Sequence, residues 1–251
     1  MRSSTLAAVA VLFALGLAEV ASAQNLELSA QYWEMKPSGS LAIGKDGQPG
    51  TSADLGNDLG YKKDKLLGFD AALGDANRLV FSYLDMGLSA NHVLTRDLDI
   101  DGTRYASGTD VRSTMDIDLM RLAYQMQNGV YGFRGGFLAG VEYIDFKAQA
   151  RATSAGEAKE SYDTILPIVG AKIHLGPPSL RVDISLAGSP WDIEGTRINF
   201  IDFEANLKAS FKGLFAGIGY RNLSFKAEND SAPLKADVKF RGPQLLAGIM
   251  F

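Results

Sequence analysis

The chain has 251 residues, 46% of them hydrophobic, a formal net charge of −4 and no cysteine. Zero cysteines exclude a disulfide-stapled scaffold, and the mildly acidic balance argues against a nucleic-acid partner, which would call for a basic patch. Beyond residue 23 no apolar run approaches the roughly 20 residues of a membrane-spanning helix.

The N-terminus combines Arg2, an apolar run from Leu6 to Leu17 and the small-residue site Ala21-Ser22-Ala23. This order of basic, apolar and cleavable segments predicts a secretory signal peptide over 1–23 and a mature chain over 24–251. The leader carries one arginine and one glutamate, Arg2 and Glu19, so its removal leaves the net charge at −4.

From residue 25 onward apolar and polar residues alternate with period two, the pattern of a two-faced β-strand. Ten such segments are predicted, over 25–36, 64–74, 77–95, 108–127, 130–152, 158–175, 179–190, 196–211, 214–228 and 234–251. "GDAN", "QNGV", "GPPS" and "FKG" are tight turns. Longer links near 37–63, 96–107, 153–157, 191–195 and 229–233 fall between them. Short and long connections therefore alternate, as in an up-and-down antiparallel barrel with both termini on one rim. Ten strands fit best; eight or twelve fit if a boundary slips. Three segments change phase part-way, near Leu119–Leu122, near Tyr143–Phe146 and near Gly242, and each change is read as a β-bulge.

Alternation leaves open which face is outside. The chain ends "LLAGIMF", with Leu245, Ala247, Ile249 and Phe251 on one face. Here it resembles the bacterial outer-membrane β-barrel proteins, the small porin-like, OmpA-like or OmpW-like barrels, whose last strand commonly ends in phenylalanine. The resemblance implies a transmembrane β-barrel in the outer membrane of a Gram-negative-type bacterium, in contact with its lipid and lipopolysaccharide. It also implies that the four C-terminal residues signal to the barrel-assembly machinery. Aromatics support this orientation in two bands, Tyr124, Tyr131, Phe133, Phe211, Phe215 and Phe251 toward the tight turns, and Tyr32, Trp33, Tyr143, Phe146, Trp191 and Phe225 toward the loops.

If the apolar face meets lipid, the polar face lines the lumen. The predicted lumen charges are Arg78, Asp116, Asp118, Arg121, Glu142, Asp145, Lys172, Arg181, Asp183, Asp202, Glu204, Lys208, Arg221, Lys239 and Arg241, with Lys147 and Asp237 beside them. Their signs nearly balance, which suits a paired plug in a narrow barrel or a narrow path for ions and small solutes. A hydrolase of the outer-membrane protease or lipid A deacylase kind needs a histidine at the outer rim. Only His92 and His174 exist, and only His92, with Ser89 and Asp97 near it in sequence, falls on that side.

The link over 37–63 reads as a solvated outer loop able to touch ligands or partners. In "DLDIDGTRYASGTD" the residues Asp97, Asp99, Asp101 and Gly102 match the start of a calcium loop, but Gly108 stands where the bidentate glutamate belongs. Asp101-Gly102 reads instead as a two-residue hairpin turn, with weak divalent-cation binding at its rim as the alternative. No cofactor or resident metal is expected, and a monomer is favoured. The leading function is a structural or narrow-channel barrel, and the alternative is a surface-binding barrel acting through its loops.

Overall fold

The computed structural model describes residues 25–45, 47–48, 50–193, 196–229 and 234–251, without the side chains of 190–193, 196, 229 and 234. The leader at 1–23 lies outside the described residues. Among the described residues thirteen strands follow in chain order. They are β1 (Leu26–Ile43), β2 (Ala53–Asp54), β3 (Asp64–Leu73), β4 (Asn77–Val93), β5 (Leu98–Ile100), β6 (Thr103–Tyr105), β7 (Asp110–Val130), β8 (Phe133–Ala152), β9 (Gly156–Leu175), β10 (Leu180–Ile193), β11 (Thr196–Phe211), β12 (Leu214–Asn229) and β13 (Leu234–Met250).

Leaving aside the appended β2 and the separate β5–β6 ribbon, ten strands pair antiparallel with their neighbours, and β13 pairs with β1 to close the barrel. Closure removes the sheet edges, the condition for a β-structure to cross lipid. Predicted and observed strands agree within three residues at nearly every end. The exception is β1, which continues to Ile43 where a loop is expected from residue 37. On the terminal rim the turns are tight. Lys212 and Gly213 both adopt positive φ, 48° and 82°, as a two-residue hairpin loop requires.

The three phase changes are not bulges. In β7 the pairs Asp118↔Asp145, Leu119↔Ile144, Met120↔Tyr143 and Arg121↔Glu142 follow without a slip. Around Gly242 the β1–β13 ladder lapses between Trp33↔Gln244 and Lys36↔Arg241, yet the register is the same on both sides. The lapse sits at Pro243, which has no N–H to offer a ladder. What changes is the solvent. Below Asp118 the outward residues of β7 are Met120, Leu122, Tyr124 and Met126, while Arg121, Gln125 and Gln127 point inward. Above it the outward residues are polar, and the inward ones are Val111, Met115, Ile117 and Leu119. From Met120 to Val130 the strand has the roughly 9–11 residues of a tilted membrane crossing, and the other half rises beyond the membrane as a collar.

The collar packs like a water-soluble barrel. Met86, Ile117, Leu119, Ile144, Phe200, Leu223, Val238 and Phe240 fill its interior. The link from 44 to 63 folds down onto this core, burying Leu55, Leu59 and Tyr61, and the β5–β6 ribbon adds Leu98 and Tyr105. The solvated outer loop expected over 37–63 is thus a lid. It is tied to its neighbour by Thr51 N–H donating to Asp99 O at 2.7 Å and by Arg96 bonding Asp58 at 3.1 Å through Nε.

Candidate functional site: the charged lumen

Between the apolar collar and the rim of tight turns the lumen is polar. Alternation alone brings this about: each strand that turns an aliphatic row toward lipid must turn its intervening residues inward. Ten of the predicted lumen charges do point inward: Arg78, Arg121, Glu142, Lys172, Arg181, Asp183, Asp202, Glu204, Lys208 and Arg221. Five do not. Asp116, Asp118, Asp145, Lys239 and Arg241 stand on the outward face of the collar, as do Lys147 and Asp237. Alternation points apolar residues outward only where lipid surrounds the wall; on the collar the outward face meets water and carries the charges instead.

Asp85, Asp118, Asp145 and Asp163 are register partners across β4, β7, β8 and β9, an acidic row around one arc of the collar. Tyr83 donates its hydroxyl to Asp118 at 3.0 Å and Lys147 bonds Asp145. On the opposite arc Lys36 faces Arg241 across the β1–β13 pair.

The inward charges form two connected groups. In the upper one Arg121 bonds Glu142 at 2.6 Å and Asp202 Oδ2 at 2.9 Å, and Arg221 reaches the same oxygen through Nη2 at 2.8 Å and the other, Oδ1, through Nε at 2.9 Å. Arg221 also lies 5.4 Å from the ring centre of Trp33, whose indole N–H donates to the Gly242 carbonyl at 3.2 Å. In the lower group Glu27 meets Arg78 at 2.9 Å, Lys208 at 3.3 Å and Arg181 at 3.4 Å. Asp183 meets Lys208 at 3.2 Å, Arg181 at 3.1 Å and His174 Nδ1 at 2.6 Å. Pairing on this scale is what charges need when removed from bulk water.

Glu27 and Asp70 belong to the network and were missed, with Gln31, Gln125, Asn206 and Gln244. Asp70 accepts from Gln31 at 2.8 Å, and Gln244 donates to Asn206 at 2.7 Å. The signal was present in "LELSAQ", where Glu27, Ser29 and Gln31 alternate with Leu28 and Ala30. With both acids included, six inward cations face six inward carboxylates: Arg78, Arg121, Lys172, Arg181, Lys208 and Arg221 against Glu27, Asp70, Glu142, Asp183, Asp202 and Glu204.

Two hollows lie in this zone, a vestibule of about 550 Å³ at the rim of the termini and a chamber of about 90 Å³ deeper in the lumen. Glu27 and Arg78 line both. Above the upper ion group the interior holds an apolar void of about 40 Å³, lined by Ile117, Phe200, Phe240 and their neighbours, and a smaller hollow of about 30 Å³ beneath the lid, lined by Leu59, Tyr61, Met115 and Glu160 among others.

The aromatic bands are partly revised. Tyr124, Tyr131, Phe133, Phe211 and Phe251 are exposed on the rim of the termini, while Phe215 is buried. Tyr32 and Tyr143 face outward at the other boundary, but Trp33, Phe146 and Phe225 belong to the interior. The side chain of Trp191 lies outside the described residues. Leu245, Ala247, Ile249 and Phe251 share the outward face of the closing strand.

The expected partners Ser89 and Asp97 do not gather around His92. Its ring packs under the lid, with the Cβ position of Gly60 2.8 Å from its own Cβ, while Ser89 lies on the opposite face of β4. Asp97 is engaged by Arg104 at 2.7 Å and by the Ser107 N–H at 2.8 Å. Asp101 and Gly102 form the expected turn, with φ of 49° and 68°. Among the described residues no three acidic or histidine side chains are placed to hold a metal ion.

A closed ten-stranded antiparallel barrel with an aliphatic belt, aromatic rims and a paired polar lumen is the architecture of the outer-membrane type of β-barrel. Comparison with solved structures gives the same fold. The outer membrane protease OmpT of Escherichia coli aligns over 90% of this chain and 96% of its own, with 9% identity and a TM-score of 0.58. The attachment invasion locus protein Ail of Yersinia pestis aligns with 12% identity and a TM-score of 0.40, over 91% of this chain and 99% of its own. The toluene transporter TodX of Pseudomonas putida aligns with 7% identity and a TM-score of 0.35, over 91% and 89%. At these identities the likeness to OmpT carries the fold alone, and the two lower scores add nothing to it. No protein-family model and no curated protein matches the sequence.

Proposed function

We propose that the protein is exported through a leader cleaved after Ala23 and serves the outer membrane as a structural barrel closed to solute flow, without enzymatic activity. The observation that carries this reading is the filling of the lumen. A solute entering from the rim of the termini meets the Glu27–Arg78 partition, then the Arg121–Asp202–Arg221 group, then a packed apolar collar roofed by the lid. A hydrophobic constriction blocks ions and polar solutes by excluding water, and the packed collar is such a constriction. The outward Leu245, Ala247, Ile249 and Phe251 support assembly through the closing strand, and the aliphatic belt supports contact with membrane lipid and lipopolysaccharide as a monomer.

Reconstitution in planar bilayers tests closure: folded protein, recognised by its heat-modifiable gel migration, is expected to give no stepwise conductance. Unitary steps that change with Arg181→Asp would overturn it and restore the narrow channel. A surface-binding role is favoured by one observation, the acidic row on the collar. Deleting 38–60 would unseat the lid and confound that test. Asp118→Asn with Asp163→Asn leaves the core intact, and unchanged attachment to cells or cationic surfaces would remove this second reading.

A further inference from the structure

On the lipid-facing side of the barrel a groove of about 650 Å³ crosses β10, β11, β12, β13 and β1. Tyr32, Leu207, Ile218, Tyr220 and Leu245 wall it, and the short side chains of Ala205 and Pro243 leave the space between them. Its upper end runs into the collar. Above Tyr32 the outward residues of β1 are Glu34 and Lys36, and beyond Pro243 those of β13 are Arg241 and Lys239. Lys65 lies 6.0 Å from the ring centre of Tyr32. Lys36 and Arg241 stand directly opposite each other, and like charges so placed destabilise a sheet. Among the described residues neither has a carboxylate within ion-pair distance. The acids on these strands are engaged elsewhere: Glu34 bonds Lys63 at 2.9 Å, and Asp237 lies 3.0 Å from Lys226 and 3.9 Å from Lys239. Lys36, Lys63, Lys65, Lys226, Lys239 and Arg241 thus stand against Glu34, Asp64 and Asp237, six cations to three carboxylates. The acidic row does not offset them, because it lies on the other arc, on β4, β7, β8 and β9.

We propose that the groove and this basic arc together bind one phosphorylated, multiply acylated glycolipid of the outer leaflet, of the lipid A class. A phosphate sits between Lys36 and Arg241, and an acyl chain lies along Leu207, Ile218 and Leu245. Such a site presupposes the outer-membrane reading, which sets the collar outside and the groove in the outer leaflet. An anion between Lys36 and Arg241 replaces their repulsion with charge-assisted hydrogen bonds, and the arginine fork matches a phosphate. An acyl chain alone would find the rest of the aliphatic belt equally good. A phosphate alone would meet cations that water and salt screen. The two features in one place select a ligand that carries both.

The test is the unfolding midpoint of the refolded, full-length barrel in zwitterionic detergent, titrated with bisphosphorylated lipid A, with the same lipid stripped of its phosphates, and with phosphatidylglycerol. Lipid A is expected to raise the midpoint, with a shift that grows as the logarithm of concentration above saturation. The dephosphorylated lipid and phosphatidylglycerol are expected to bind more weakly by about tenfold or more. Lys36→Ala with Arg241→Ala removes a repulsion, so without lipid this variant unfolds at or above the wild-type midpoint; it needs about tenfold more lipid A for the same shift. Ala205→Phe fills the groove, leaves the cations in place and is expected to weaken binding as well. No shift with lipid A, an equal shift with the dephosphorylated lipid or with phosphatidylglycerol, or an unchanged response in either variant would overturn the proposal. If the variants do not refold, the three lipids compared on the wild type decide. None of these results bears on conductance in planar bilayers, so the closed structural barrel stands or falls separately.

Discussion

Arg121→Leu asks whether the middle of the lumen is dry. The guanidinium joins Glu142 and Asp202, both only 2% exposed. Leucine fills much of the same space but strands Glu142 without a cation, while Asp202 keeps Arg221 at 2.8 Å. Deleting one member of a buried pair costs about 3–5 kcal/mol, mostly because the remaining charge stays buried. The double variant Arg121→Leu with Glu142→Leu removes that charge as well, and is expected to recover all but about 1 kcal/mol, giving a coupling of at least about 2 kcal/mol. Urea unfolding from phospholipid vesicles, followed by tryptophan emission, measures both; Trp33 lies against Arg221 and reports on the same layer. If the single variant costs under about 1 kcal/mol, the value of a solvated surface pair, water reaches Arg121. The sealed lumen fails with it.

Phe240→Ala tests the collar plug: Phe240 is 1% exposed, and its truncation is expected to cost about 3–5 kcal/mol in the same assay. Asp118→Asn removes like charges set opposite each other in the acidic row while keeping an acceptor for Tyr83. It is expected to stabilise by up to about 1 kcal/mol, less at high salt. The lid carries a pH dependence. The hydrogen bonds from Arg96 hold the Asp58 carboxyl below the usual carboxylate range. A lowered folded-state value means that the clasp contributes fully above the ordinary carboxylate pKa of about 4 and is lost as pH falls through the folded value. Hydrogen exchange of residues 51–61 should therefore rise only in acid, and Asp58→Asn should show the raised exchange at neutral pH; a flat profile in the wild type would refute the clasp.

Much of the barrel is legible in the sequence because period-two alternation is a local consequence of pleating. The tight turns at Gly74 and Gly213 and the hairpin at Asp101–Gly102 are equally local. The orientation of the outer halves was not legible by the rule applied. Met115, Ile117 and Leu119 look like the same lipid-facing row as Leu122, Tyr124 and Met126, shifted by one residue, and a bulge explains such a shift economically. The pairing shows that the residues keep their places and the surroundings change. Lid burial was hidden for a different reason: Leu55, Leu59 and Tyr61 are three apolar residues dispersed among Gly, Asp and Lys, with no period to betray that they meet one core.

The polarity reversal also explains why one chain can hold two kinds of interior. Where lipid surrounds the wall, apolar residues gain nothing by turning inward, so the lumen is left to polar groups and becomes stable only through mutual pairing. Where water surrounds the wall, the hydrophobic effect acts between outside and inside, and the same strands must bury Ile117 and Leu119 and expose Asp116 and Asp118. Asp118 to Met120 on β7, and Asp145 to Tyr143 facing them on β8, mark the level at which one regime replaces the other. The two regimes predict different sensitivities. Loss of volume should be felt in the collar, at Phe240, and loss of a charge partner in the membrane zone, at Arg121. Exchanging the chemistry, an apolar truncation below the boundary or a charge deletion on the collar's outer face, should cost far less in each case.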